Sequence, residues 1–355
     1  MNGNEQISFA ARNILGITKA PKTQWAVDGL IPAGRQTVIF GQSNCGKSFI
    51  GLSIALSVAT GQPFFGRRVR QGTVVYVAGE GEDTLLPRTV AWKNFHSQVK
   101  VAESNLLCLS SETISLMKAE TAYAIKLWSM REIEEKGLPT VGLFVWDTWA
   151  RCFGGDENSN SDTAQGLKTL DLLKKSFPDA ATIIVHHTGK GDKKQARGAS
   201  GLRCGVDCEY RAELRGSREL AKGKLLFECT KMRGAYPPAL EFSAQEVEIE
   251  TDDGGTDTSL VLTSAREIEP LTDEPNDDEA AATTDRRPSG KNQIVLWEEV
   301  KRRQENDEVT TKTQLKKLLM KDGVMSERVF YFAFNTLIDE GFLVETGDGL
   351  VVEKD

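Results

Sequence analysis

Eight residues, Gly41-Gln42-Ser43-Asn44-Cys45-Gly46-Lys47-Ser48, sit between the apolar run Thr37-Val38-Ile39-Phe40 and a segment to which Ile50, Ile54, Ala55, Leu56 and Val58 give an apolar helical face. Strand, small-residue loop and helix in that order form a phosphate-binding P-loop. Gly41 and Gly46 let backbone N–H groups close around anionic oxygens, and the helix N-terminus adds its positive end. Lys47 supplies a point charge for the β- and γ-phosphates of a nucleoside triphosphate, and the Ser48 hydroxyl is suited to ligate Mg²⁺.

The chain has 355 residues, enough for a large core and a small second domain. It contains no apolar run of bilayer length, and its first ten residues lack the basic and apolar blocks of a signal peptide, so a cytoplasmic location without membrane contact is expected. The six cysteines have no paired CxxC spacing; we expect them reduced, with Cys204 and Cys208 a weak metal candidate. A net charge of −7 argues against whole-surface attraction to nucleic acid but permits a local basic channel. Glu269, Asp273, Glu274, Asp277, Asp278 and Glu279 concentrate acid among prolines and alanines, which marks residues 265–290 as a linker.

Upstream of that linker, β-rich runs at residues 36–40, 73–78, 106–109, 141–146, 181–186, 209–214 and 224–229 alternate with helical stretches after the P-loop and at 85–96, 120–136 and 164–177. Helix-connected strands buried on both faces imply a mostly parallel α/β sheet over 29–264, with 1–28 as a lead in which Trp25 and Val27 touch the core. Downstream, over 291–355, three helical segments at 294–303, 312–320 and 327–338 precede two short strands around Gly347-Asp348-Gly349, the order of a winged-helix-like domain.

Further motifs surround the nucleotide loop. Gly142-Leu143-Phe144-Val145-Trp146-Asp147-Thr148 is an apolar strand ending in an acid, so Asp147 is either a Mg²⁺-holding Walker B residue or a helix cap. Glu80 and Glu82 follow the run Val74-Val75-Tyr76-Val77-Ala78; a carboxylate there orients attacking water, with Glu80 preferred, unless both are surface acids in a turn. Arg88 is a candidate to stack on adenine or a solvated helix residue. His186 and His187 end a buried strand; neighbours point to opposite faces, which argues against a shared metal and leaves His187 as a γ-phosphate sensor or a structural histidine. Lys231 and Arg233, two apart, present two cations to one side if their strand continues, or are simply solvated.

In this order the motifs resemble the RecA-like ATPase core, most closely the RepA-type hexameric replicative helicases of plasmids and phages and related phage AAA-family ATPases. The resemblance covers about residues 25–245. Its specific parts are the P-loop, Ala78-Gly79-Glu80-Gly81, Trp146-Asp147-Thr148 with the stretch from Gly154 to Asp162, and His186-His187-Thr188-Gly189-Lys190 leading into Ala196-Arg197-Gly198-Ala199-Ser200-Gly201-Leu202-Arg203. It implies that ATP and Mg²⁺ are the cofactors, that Glu80 is the catalytic base, and that Lys231 and Arg233 are fingers reaching a neighbouring subunit's γ-phosphate. It also implies that Lys190, Lys193, Lys194, Arg197 and Arg203 grip single-stranded DNA in the channel of a homo-oligomeric ring, unless the loop is simply solvated or Arg197 or Arg203 is itself the finger. The expected activity is a DNA-stimulated ATPase acting as a helicase in replication. A recombination mediator without unwinding and a nucleotide-gated DNA-binding adaptor are the alternatives. In the C-terminal domain the segment 326–340 offers one basic residue and several acids, which favours docking of replication proteins or plain structural use over DNA reading; Lys312, Lys316, Lys317 and Lys321 remain candidates for phosphate contacts.

Overall fold

The computed structural model describes residues 18–19, 22–79, 82–98, 105–110, 114–189, 196–198, 200–234, 236–269, 288, 290–306, 308, 310–321, 324–339, 342–346 and 351–353. The chain forms two compact units, Met1–Pro270 and Leu271–Asp355.

The first unit opens with a short antiparallel pair, β1 (Trp25–Val27) and β2 (Ile31–Pro32). Then follow β3 (Gln36–Gly41), α1 (Lys47–Thr60), β4 (Thr73–Ala78), α2 (Glu82–Phe95), β5 (Leu106–Ser110), α3 (Ala119–Lys136), β6 (Val141–Asp147), α4 (Trp149–Phe153), α5 (Asn160–Ser176), β7 (Ala181–His187), α6 (Ser200–Gly205), β8 (Cys208–Arg215), β9 (Lys224–Met232), β10 (Ala239–Glu250) and β11 (Thr256–Ile268). They build a nine-stranded sheet in the order β11-β10-β9-β8-β3-β7-β6-β4-β5. From β8 to β5 all pairs are parallel, and from β8 to β11 all are antiparallel. This is the mostly parallel, helix-flanked sheet that the strand-and-helix alternation predicts.

The sheet is buried on both faces because its strands are apolar at odd and even positions alike. Ile39, Val74, Tyr76, Leu143, Val145 and Val185 face one core layer with the apolar side of α1. Val38, Phe40, Val75, Val77, Phe144, Trp146 and Ile184 face the other, against Leu167, Leu170 and Leu173 of α5. The central strands all run the same way, so their C-terminal ends share one edge, the place where an open α/β sheet presents a ligand site.

One boundary differs from the sequence expectation. Residues 265–268 are not linker: they are the last rungs of β11, paired with β10 from Ala239 to Phe242, and Arg266 bonds Glu241 at 2.9 Å. The β10–β11 hairpin itself was not apparent, because outward Glu246, Glu248 and Glu250 dilute its apolar pattern while Phe242, Ile249, Val261 and Leu262 turn inward. Residues 271–287 of the expected linker lie outside the described residues.

In the second unit, α7 (Lys291–Glu305), α8 (Lys312–Lys321) and α9 (Glu327–Asp339) precede an antiparallel pair, β12 (Leu343–Glu345) and β13 (Val351–Glu353). Its separate core includes Leu296, Val300, Leu315, Leu319, Phe330, Phe334, Leu337, Leu343 and Val351. Phe330 and Phe334 are core, whereas Phe332 is 74% exposed. The Gly347-Asp348-Gly349 turn lies outside the described residues.

Candidate nucleotide site

The P-loop crosses from the C-terminal end of β3 to the first turn of α1. Gly41 is required there, because a Cβ would stand 2.2 Å from the Ala212 carbonyl oxygen of the neighbouring β8. Further along, Asn44 has φ 62° and Gly46 has φ 102°, the left-handed backbone that turns amides toward the inside of the loop. Lys47 is 4% exposed, and its Nζ donates to the Gln42 carbonyl at 2.5 Å, so the ammonium spans the loop. Gln42, Ser43 and Asn44 are exposed at the rim, while Cys45 is buried against Ala212 with its thiol raised by burial.

Strand register sets what surrounds this loop. Ala78 on β4 pairs with Asp147 on β6, and Gly41 pairs with His187 on β7, so three strand ends deliver side chains to one place. Ser48 donates to Asp147 Oδ1 at 3.1 Å, and the Tyr76 hydroxyl donates to Asp147 Oδ2 at 2.6 Å. Burial, and then the adjacent Asp147 carboxylate, hold the Tyr76 phenol well above its ordinary pKa. Burial also pushes nearby Cys152 up to about 12, again with Asp147 as the secondary cause. A serine hydroxyl and an acid converging beside a lysine-bridged loop are hard oxygen donors fit for Mg²⁺ on a triphosphate. Asp147 thus ends β6 directly beside Ser48, one residue before Thr148, the N-cap of α4.

A cavity of about 430 Å³ opens at this edge, bordered by Ser43, Lys47, Ser48, Thr148 and His187 on its polar side. Its apolar wall comprises Phe49, Leu220 and Leu260, with the Arg88 guanidinium 4.6 Å over the Phe49 ring. Arg88 therefore joins the site from α2, already stacked on an aromatic face. The chain leaves the described residues at Gly79 and re-enters at Glu82, so Glu80 lies outside them.

The two histidines diverge as neighbours in a strand must. His187 turns to the nucleotide loop, with Nδ1 3.4 Å from Ser43 Oγ. His186 turns into the opposite core layer, where it donates from Nε2 to the Arg197 carbonyl at 2.8 Å, and burial lowers its pKa to about 4. The Arg197 amide donates back to the His187 carbonyl at 2.7 Å, and its guanidinium pairs with Glu157 at 2.6 Å. Arg197 thus closes the loop that leaves β7. Lys190, Lys193 and Lys194 within that loop lie outside the described residues.

The remaining cations are engaged within the chain. Lys231 Nζ donates to the carbonyls of Arg203 and of Val206, the latter at 2.7 Å, and so caps the C-terminal end of α6. Arg203 pairs with buried Glu209 at 3.3 Å, and Arg233 lies 3.7 Å from Asp207 with 68% of its side chain exposed. Lys231 and Arg233 do not border the cavity of their own chain. No group of three or more His, Cys, Asp and Glu capable of holding a metal occurs among the described residues; Cys204 is exposed and Cys208 buried. No helix among them is long and apolar enough to cross a membrane.

Sequence reasoning assigned no role to Tyr76, Phe49, Leu220, Leu260 or Glu157. Tyr76 carried a signal: a phenol in an aliphatic strand buried on both faces needs a polar partner. Leu220 and Leu260 carried none, because only the tertiary fold brings the β8–β9 connection and β11 to the loop.

No curated protein matches the chain. Among solved structures, a KaiC-like protein from the hyperthermophilic archaeon Pyrococcus horikoshii OT3 is similar at 12% identity and TM-score 0.39, over 67% of this chain and 93% of that one. The likeness is weak, and the fold assignment rests on the strand order. The AAA domain family model matches residues 10–193, more than half of the chain, and takes in the P-loop, the Asp147 strand and the histidine pair. The chain belongs to the AAA domain family and is a P-loop ATPase.

Proposed function

We propose that this ATPase is Mg²⁺-dependent and stimulated by single-stranded DNA, and that it works as a hexameric ring, a helicase or translocase of the RepA type in DNA replication. The observation that carries the reading is the shared position of His187. Its ring touches the P-loop through Ser43, and its carbonyl holds Arg197 at the return of the basic loop. A change at the nucleotide loop would thus reach Arg197 through one residue.

Lys47 holds the β- and γ-phosphates, Ser48 and Asp147 hold Mg²⁺, which neutralises phosphate charge when bound, and Arg88 supports the base. Glu80 takes the role of the residue that orients water. Arg233, exposed and off its own cavity, supplies the finger to the next protomer, while Arg197, Arg203 and the loop lysines contact the DNA backbone. Fingers are worth about 10³ to 10⁵ in rate, so an isolated subunit turns over slowly. Exposed Phe332 on α9 offers an apolar contact to replication proteins.

ATP hydrolysis measured with and without oligonucleotide, beside the assembly mass, tests the proposal. A monomer indifferent to DNA overturns it. Stimulated hydrolysis without strand displacement points instead to a recombination mediator, and an adaptor would keep its biological role in Glu80→Gln.

A further inference from the structure

Both oxygens of Asp147 accept a hydrogen bond, and the two donors differ in kind. Ser48 donates to Oδ1 at 3.1 Å from the mobile end of a short side chain. Tyr76 donates to Oδ2 at 2.6 Å from a ring that is 1% exposed and fixed among apolar neighbours of the core. The phenol reaches Asp147 diagonally, since Tyr76 pairs with Val145 and Ala78 with Asp147 on adjacent parallel strands. A short O–H···O⁻ bond to a carboxylate is among the stronger hydrogen bonds, and here its donor cannot swing away.

The consequence falls on Ser48. A serine hydroxyl has one proton and two lone pairs. With Asp147 held so that Oδ1 takes that proton, the lone pairs are left for a cation in the cavity that Ser48 borders. Were the carboxylate free to rotate, the hydroxyl would have no fixed acceptor and its lone pairs no fixed direction.

We propose that Tyr76 is a positioning residue for Mg²⁺: it locks the Asp147 carboxylate, which in turn orients the Ser48 hydroxyl toward the ion. The proposal rests on the nucleotide site described above and adds to it a residue outside the lining of the nucleotide cavity. Residues in this relation to a metal site typically change its affinity by about 10- to 100-fold when altered.

Tyr76→Phe keeps the ring and removes the hydroxyl. In the full-length protein, a fluorescent ATP analogue is titrated in EDTA, and then across a Mg²⁺ series at fixed analogue. We expect Tyr76→Phe to bind the analogue in EDTA within about twofold of wild type, and to need about 10-fold more Mg²⁺ for half of the metal-dependent gain. In an Asp147→Asn background, the same change should add nothing further. A wild-type Mg²⁺ requirement in Tyr76→Phe overturns the proposal, as does an effect of full size in the Asp147→Asn background, which would mark Tyr76 as packing alone. Wild-type protein that fails to bind the analogue in Mg²⁺ overturns the ATPase assignment together with it.

Discussion

Lys47 and His186 show how one side chain is tuned by where its backbone puts it. Lys47 is the cation most enclosed by the loop, and phosphoryl transfer depends on positioned charge rather than covalent chemistry. Lys47→Ala should lower ATP turnover by about 100-fold or more, read as steady-state phosphate release. His186 is buried neutral, with a folded pKa of about 4 against an ordinary 6.5. Because the folded pKa is the lower one, the unfolded chain binds the proton first as pH falls. The stability is therefore whole above about 6.5 and is lost progressively down to about 4. Between pH 7 and pH 5 the loss from this residue is about 2 kcal/mol. Urea unfolding at both pH values should show a gap that is smaller in His186→Gln; an equal gap in the variant would assign the pH dependence to other groups. Gly79 is a third instance. A Cβ there would meet the Asp147 carbonyl and the Thr148 amide, each at 2.9 Å, and neither can give way without parting β4 from β6. Gly79→Ala should destabilise by about 1 to 3 kcal/mol in thermal melts and weaken Mg²⁺-dependent hydrolysis as Asp147 shifts.

Among the elements, the β10–β11 hairpin does more than extend the sheet. Phe242 is fully buried, with its ring 5.3 Å from Phe65, 5.9 Å from Phe64 and 6.2 Å from Phe227. Asn94 on α2 donates to the Glu248 carbonyl at 3.0 Å, which ties the hairpin to the helix that carries Arg88. Leu260 on the same hairpin borders the nucleotide cavity. Phe242→Ala should cost about 3 to 5 kcal/mol of stability by denaturant titration. Leu260→Ala should leave stability nearly intact and raise the Kd for ATP several-fold, because less apolar wall is left against the base. An unchanged Kd would place the base elsewhere.

At the scale of the molecule, the second unit has a core that shares no residue with the two core layers of the first. Among the described residues, those that border the nucleotide cavity precede residue 270. A chain ending at residue 269 should therefore bind ATP with affinity within about twofold of the intact protein by isothermal titration, since it keeps the P-loop, Ser48, Asp147 and the apolar wall of the cavity. Loss of binding on this truncation would mean that the second unit contributes to the site. Under the ring proposal, specific activity should also rise with protein concentration, by up to the 10³ to 10⁵ that a neighbour's finger supplies.

The P-loop, the strand ending at Asp147 and the alternation of apolar strands with helices were legible in the sequence because each is a local pattern, set by side-chain type and chain direction. The opposite facing of His186 and His187 was legible for the same reason, since it follows from the two-residue period of a strand. The acidic composition near residue 265 hid the end of β11, because a ladder at the sheet's edge tolerates charge on its outward face. Only the tertiary structure decided which residues meet at the C-terminal edge of the sheet: Tyr76 with Asp147, Arg88 over Phe49, Lys231 on the end of α6, Leu260 beside the P-loop. Those contacts depend on strand order and register, which join residues far apart in the chain through packing that no local pattern encodes.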